Sequence, residues 1–225
     1  MQKPEKPATD NGFDFIAPVY DFLSRLVFGN SLRKAQVHWL PMVPPNADVL
    51  VLGGGSGWLL SRILTVCQPR NVIYIDASPK MIALAQQKVN RDERVDFRIG
   101  TEQSIRPNER VDAVFTPFIL DLFSNERLEK HLLPVLVRCL RPDGIWFGSD
   151  FLEPVQWWQH ALLWSQYRFF GFLSGIEATR LPDWVSLLTG FSSLQPGPLA
   201  RFYGGMIGSG YWQKKGAEEI PTSPS

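Results

Sequence analysis

Residues 49–58 read VLVLGGGSGW. An unbroken apolar run, V-L-V-L, breaks into glycine and then reaches Trp58. A short run with no polar alternation is what a strand covered on both faces requires. The next residues, GWLLSRILTVC, return to helical spacing. Strand, glycine loop and helix in that order place the loop beyond the carboxyl end of a parallel strand, where open α/β sheets bind ligands. Glycine reaches dihedrals closed to other residues and lets a ligand approach the backbone. Gly53, Gly55 and Gly57 follow a G-x-G-x-G spacing. A dinucleotide fingerprint wants its third glycine at position 58, which is Trp, and a phosphate-binding P-loop wants a Gly-Lys-Ser/Thr that does not follow.

The same reading extends in both directions. Residues 13–40 have helical spacing, with Pro18 near a helix start. NVIYIDAS is a second buried strand, and PKMIALAQQKVN a helix with Pro79 in its first turn. VDFRIG and VDAVFTPF are strands three and four, NERLEKHLLPVLVRCL a helix, and GIWFGSDF strand five. This alternation predicts a doubly wound, mostly parallel α/β sheet with helices on both faces. Residues 154–191 then supply two helical stretches without a strand, an aromatic-rich insertion after strand five. SLQPGPLARFYGGMIGSGYWQK closes the chain as an antiparallel pair around Gly204 and Gly205, which brings the sheet to seven strands. One domain is expected over 13–215, with 154–191 as its lid. Polar, proline-bearing tails are expected at 1–12 and 216–225.

Composition narrows the function. The formal net charge is +1, with Lys and Arg scattered, so neither nucleic acid nor an anionic membrane is an expected partner. Cys67 and Cys139 are too few for a disulfide framework and read as buried thiols in a reducing compartment. His38, His131 and His160 are too far apart for a metal-ligand spacing, so no metal site is expected. The polar opening MQKPEK has no apolar signal segment, and cytoplasmic location is the expectation.

Asp76 closes the second strand. A carboxylate there accepts hydrogen bonds from both ribose hydroxyls. The competing role is to cap the helix that starts at Pro79, for which Ser78 is the rival. The glycine loop alongside favours ribose.

VLVLGGGSG, VIYIDASPKMIALAQQK, FRIGTEQSI, VDAVFTPFILDLF and LRPDGIWFGSDF, in that order, resemble the successive motifs of class I S-adenosylmethionine-dependent methyltransferases. FDFIAPVYDFLSRLVFG resembles the opening of the ubiquinone and menaquinone branch of that family. The resemblance implies the Rossmann-like methyltransferase fold and S-adenosylmethionine as cofactor, with S-adenosylhomocysteine as product. It sets Gly53, Gly55 and Gly57 against the methionine part of the cofactor and Asp76 on its ribose. Ala77, Ser78 and Met81 fall on the adenine side, Thr101 and Glu102 near the adenine amino group, Thr116 beneath the methionine moiety, and Tyr20 over the cofactor. Two positions depart from the family pattern. Val51 stands where an acid usually helps balance the cofactor's ammonium, with Asp21 as a substitute, and Thr101 stands in place of an Asp.

Asp121 is the candidate general base, because that position in the family faces the methyl group. Its alternative role is a carboxylate favoured by a helix N-terminus. Trp157, His160, Trp164 and Tyr167 of the aromatic insertion, with Arg201 and Tyr203 of the closing strands, are the candidate acceptor-binding residues. Ordinary lid packing is the alternative for the aromatics. The insertion is too interrupted by Gln159, His160, Gln166 and Arg168 to span a membrane. The expected function is methyl transfer to a small apolar or aromatic acceptor, with a homodimer as an open alternative to a monomer. The competing function is a methyltransferase-fold protein that binds the cofactor without methylating.

Overall fold

The computed structural model describes residues 27–160, 162 and 181–216. Tyr20, Asp21, Trp164 and Tyr167 lie outside them, as does Pro18. Seven strands form one sheet: β1 (Asp48–Leu52), β2 (Asn71–Asp76), β3 (Val95–Ile99), β4 (Val111–Pro117), β5 (Leu140–Phe151), β6 (Leu194–Phe202) and β7 (Ile207–Lys214). Their order is β3-β2-β1-β4-β5-β7-β6. Pairings from β3 across to β5 are parallel, and β7 runs antiparallel to both β5 and β6. The expected antiparallel closing pair is therefore present, with the turn Tyr203–Gly205 between its strands. The order reverses between β1 and β4, so a crevice opens beyond their carboxyl ends.

The helices are α1 (Ser31–Val37), α2 (Trp58–Arg62), α3 (Pro79–Lys88), α4 (Asn125–Arg127), α5 (Leu133–Cys139) and α6 (Trp184–Thr189). α2 widens into a π turn over Ile63–Cys67, and another π turn, Leu128–Leu132, joins α4 to α5. Strand residues alternate between two cores, as a period of two demands. Val49 and Val51 of β1 join Ala113, Phe115 and Phe147 against Leu59, Leu60, Ile63 and Ala85. Leu50 and Leu52 join Val114 and Trp146 against Leu132, Leu136, Trp184 and Leu188. Burial on both faces explains why these strands read as continuous apolar runs.

Charged residues fasten the amino ends of the strands. Asp112 Oδ2 accepts the Asp48 N–H at 2.8 Å. The Asp48 carboxylate accepts from Arg70 Nε at 2.9 Å, Asn71 Nδ2 at 3.0 Å and Arg141 at 2.9 Å. Arg141 also meets Asp112 at 2.8 Å. The Arg70 guanidinium, more than any other neighbour, holds the Asp48 carboxyl well below the usual range. With this end fastened, the opposite end carries the loops of the site.

Candidate cofactor and acceptor site

The glycine loop leaves β1 with the Gly53 N–H donating to Ile75 O at 2.8 Å. Two of its glycines have separable reasons. Gly57 sits at φ +82°, and a Cβ there would lie 2.7 Å from Ala85 Cα, so the glycine lets α2 cross close to α3. Gly55 sits at φ +64°, and a Cβ there would meet no described atom within 4 Å. Among the described residues, that side of the loop is open. Tyr74, absent from the sequence-based candidates, supports the loop. Its buried ring lies where a Gly54 Cβ would stand, 2.3 Å from Cε2, and its hydroxyl donates to Gly55 O at 2.8 Å. The only signal for it was a tyrosine inside an otherwise aliphatic strand, VIYID.

Asp76 faces the same loop. Its Oδ2 accepts the Gly55 N–H at 2.8 Å, and its Oδ1 accepts the Ser78 N–H at 3.0 Å. Ser78 Oγ accepts the Met81 N–H at 3.2 Å and so caps α3. The cap that competed for Asp76 is thus filled by its neighbour. Ser78 and Met81 are buried, and Ala77 is exposed beside them.

After β3, Thr101 Oγ1 accepts the Gln103 N–H at 3.5 Å, a cap on the turn Glu102–Ser104. Glu102 is buried and pairs with Arg127 Nη2 at 3.4 Å, while that guanidinium lies 5.1 Å from the Phe123 ring centre. Thr116, at the end of β4, is fully buried. It shares the parity of Val114, so its side chain enters the Trp146 core and its hydroxyl accepts from Trp146 Nε1 at 2.9 Å. Val51 is fully buried in the opposite core.

At the end of β4, Ile119 packs where a Gly53 Cβ would be, 2.0 Å from Cγ2. The turn that follows, Leu120–Leu122, therefore abuts the glycine loop and carries Asp121. Behind it stands Asp150, fully buried near the end of β5 and missed by sequence reasoning. Asp150 Oδ2 accepts the Leu120 N–H at 2.7 Å and the Asp121 N–H at 3.3 Å, and Oδ1 accepts the Phe151 N–H at 2.7 Å. Burial pushes Asp121 up to about 6, although its hydrogen bonds act the other way. Burial, then the Asp121 charge, pushes Asp150 well above the usual carboxylate range.

An aromatic cluster forms next to this turn. Phe28, Leu32, Ala35, Phe151, Met206 and Ile207 are its buried members, and Phe118 and Tyr203 are among the residues packed against it. The Tyr203 hydroxyl donates to Val27 O at 2.9 Å, and its ring lies 5.7 Å from Trp158. Gln159, fully buried, donates to Gly204 O at 3.0 Å and anchors the start of the insertion to this hairpin. Trp157 is 82% exposed, and His160 and Arg201 are exposed as well. The described residues thus bring Tyr203 to the cluster and leave Trp157, His160 and Arg201 at the surface.

A seven-stranded sheet in this order, with a glycine loop and an acidic residue at adjoining strand ends, defines the Rossmann-like methyltransferase fold. Residues 49–144 match the family described as "Methyltransferase domain". Over 91 residues the chain is 35% identical to a demethylmenaquinone methyltransferase of Lactiplantibacillus plantarum, covering 37% of each protein. Over 104 residues it is 25% identical to a malonyl-[acyl-carrier protein] O-methyltransferase of Ilyobacter polytropus, covering 46% of this chain and 39% of that one. The chain thus spans well under half the length of these relatives. The crystal structure of Burkholderia thailandensis 1,6-didemethyltoxoflavin-N1-methyltransferase, with its substrate and S-adenosylhomocysteine bound, shares the fold. Its TM-score is 0.65 at 20% identity, over 96% of this chain and 92% of that one. Over residues 49–144 the chain is thus similar to methyltransferase domains, on a fold it shares with a methyltransferase solved with S-adenosylhomocysteine.

Proposed function

We propose that this chain binds S-adenosylmethionine in the crevice between the glycine loop and Asp76 and transfers its methyl group to a small, apolar or aromatic acceptor. The observation that carries the reading is the clasp between the Asp76 carboxylate and the Gly55 N–H at 2.8 Å, beside open space at Gly55. A ribose needs a paired acceptor fixed in orientation, and both oxygens of Asp76 are fixed by backbone donors. Backbone without side chains is what a methionine tail needs in order to lie along the loop.

When bound, the cofactor supplies an electrophilic methyl on a sulfonium. The chain's own part is placement. Aligning reacting groups accounts for about 7–11 kcal/mol in favourable intramolecular cases. The Phe28, Phe118, Phe151 and Tyr203 cluster supports a flat apolar acceptor, and the demethylmenaquinone-methylating relative agrees with an aromatic ring. Asp121, half-buried beside this cluster, is the group to take an acceptor proton where one must leave. Burial pushes the thiols of Cys67 and Cys139 up to about 11, so neither serves as a nucleophile in this reading.

The test incubates the full chain with methyl-labelled S-adenosylmethionine and three probe acceptors: reduced 1,4-naphthoquinone, catechol and an aromatic amine. Labelled acceptor with matching S-adenosylhomocysteine is the expected result. Tight cofactor binding with no labelled product would favour the non-methylating alternative.

A further inference from the structure

Among the described residues, seven other than glycine have a positive φ. Five of them, Asn46, Gln68, Asn90, Arg91 and Asp143, are polar and exposed, as a left-handed position allows. The other two are bulky aromatics, Phe118 at +54° and Tyr203 at +49°. A large side chain in that region carries a steric cost, kept only where surrounding contacts hold it, and such sites cluster where ligands bind. Both rings pack against the same aromatic cluster, although Phe118 follows β4 and Tyr203 opens the β6–β7 turn.

Each is fixed by a hydrogen bond. The Phe118 N–H donates to Ser149 O at 2.7 Å, and the Tyr203 hydroxyl to Val27 O at 2.9 Å. On strand parity Phe118 would follow Val114 and Thr116 towards the Trp146 core. Its left-handed backbone brings the ring to Phe151 instead, 5.6 Å between centres and tilted by 57°. Phe151 meets Phe28 at 5.3 Å, and Phe28 meets Tyr203 at 5.1 Å. Phe28 and Phe151 are buried, whereas Phe118 and Tyr203 are half-buried. The cluster thus has a buried floor with a partly open ring at each end. The Phe118 end adjoins the glycine loop, because the next residue, Ile119, packs where a Gly53 Cβ would stand.

We propose that Phe118 is a specificity-determining residue for the acceptor: its ring, held in a left-handed turn beside the glycine loop, selects a planar aromatic acceptor over a saturated one of the same outline. This rests on the acceptor reading above. A planar ring can meet Phe118 in the offset or edge-on geometries that aromatic pairs prefer, whereas a saturated ring offers only apolar area. The strained backbone sets the Phe118 ring before a ligand arrives, so binding does not have to order it.

The experiment measures, by calorimetry on the full chain, the affinities for 2-naphthol, for its saturated analogue decahydro-2-naphthol and, separately, for S-adenosylhomocysteine. The wild type is expected to prefer 2-naphthol by about three- to tenfold. Phe118→Leu keeps apolar bulk without the ring. It should bring that ratio towards one and leave the S-adenosylhomocysteine affinity within about twofold. Phe118→Tyr should restore the preference. Phe118→Gly accepts the dihedral and so removes the ring while relieving the backbone; it too should lose the preference. Equal affinities in the wild type, no measurable binding of either probe, or a ratio kept by both Phe118→Leu and Phe118→Gly overturns the proposal. If the preference is present and collapses in the variants while S-adenosylhomocysteine does not bind, the role of Phe118 stands and the cofactor reading fails instead.

Discussion

Two glycines a turn apart do different work, and their substitutions separate. Gly57→Ala drives a methyl group to 2.7 Å from Ala85 Cα at a φ that L residues avoid. A loss of about 2–4 kcal/mol in denaturant unfolding is expected, the sum of strain and overpacking. Gly55→Ala meets only the dihedral penalty, about 1–2 kcal/mol, yet intrudes on the open side of the loop. Its S-adenosylhomocysteine affinity, measured by calorimetry, should fall far more than its stability. Asp76→Ala should weaken the same ligand about 10- to 100-fold while the chain remains folded, since charge-assisted hydrogen bonds are worth about 1.5–3 kcal/mol each. At this scale the sequence was readable where chemistry and spacing coincide. The glycines and Asp76 announce themselves by residue type and by position at strand ends. Tyr74 does not, because its role depends on which loop atom its hydroxyl reaches, and that is settled across two strands.

The turn after β4 and the end of β5 make one unit, and its titration should be visible in stability. Burial raises Asp121 and Asp150 above the unfolded carboxylate value, so the native state keeps a proton that the unfolded chain loses. Their contribution to stability therefore declines as pH rises from about 4 through about 6. Asp121→Asn should flatten that decline in denaturation midpoints read against pH. Asp48 acts with the opposite sign. Held low chiefly by Arg70, it supports the fold above about pH 4, and its contribution is lost as pH falls further. Midpoints below about pH 4 should thus fall in the wild type and much less in Asp48→Asn, which starts from a lower plateau. Strands β1, β2, β4 and β5 were legible as elements because burial leaves apolar runs, whereas β3, at the sheet edge, is buried only at Val95. The side-chain direction within β4 follows from the same period of two. Thr116 has the parity of Val114 and enters the Trp146 core, which the motif resemblance did not reveal. The Asp121–Asp150 contact was not legible, because it joins turn and strand residues that only the β4–β5 pairing brings together.

At the scale of the whole molecule, one sheet fastened by ion pairs at its amino end carries the glycine loop, Asp76 and Asp121 at the other. The seven strands and the antiparallel closing pair were legible from the alternation of elements and the closing glycine turn, whereas the place of β7 between β5 and β6 is set by pairing across the sheet. The acceptor wall is less legible, since the aromatic insertion gives its composition without its contacts. Among the described residues no helix is long and apolar enough to cross a membrane. A ligand seated at the crevice also stabilises the whole fold by mass action, about 2.7 kcal/mol at a hundredfold excess over Kd. The most direct measurement is a crystal structure of the full chain grown with S-adenosylhomocysteine. The account predicts both ribose hydroxyls within hydrogen-bonding distance of the Asp76 carboxylate and the homocysteine chain lying along Gly55. A ligand seated elsewhere, or a loop filled by protein with Asp76 swung off Gly55, would contradict it.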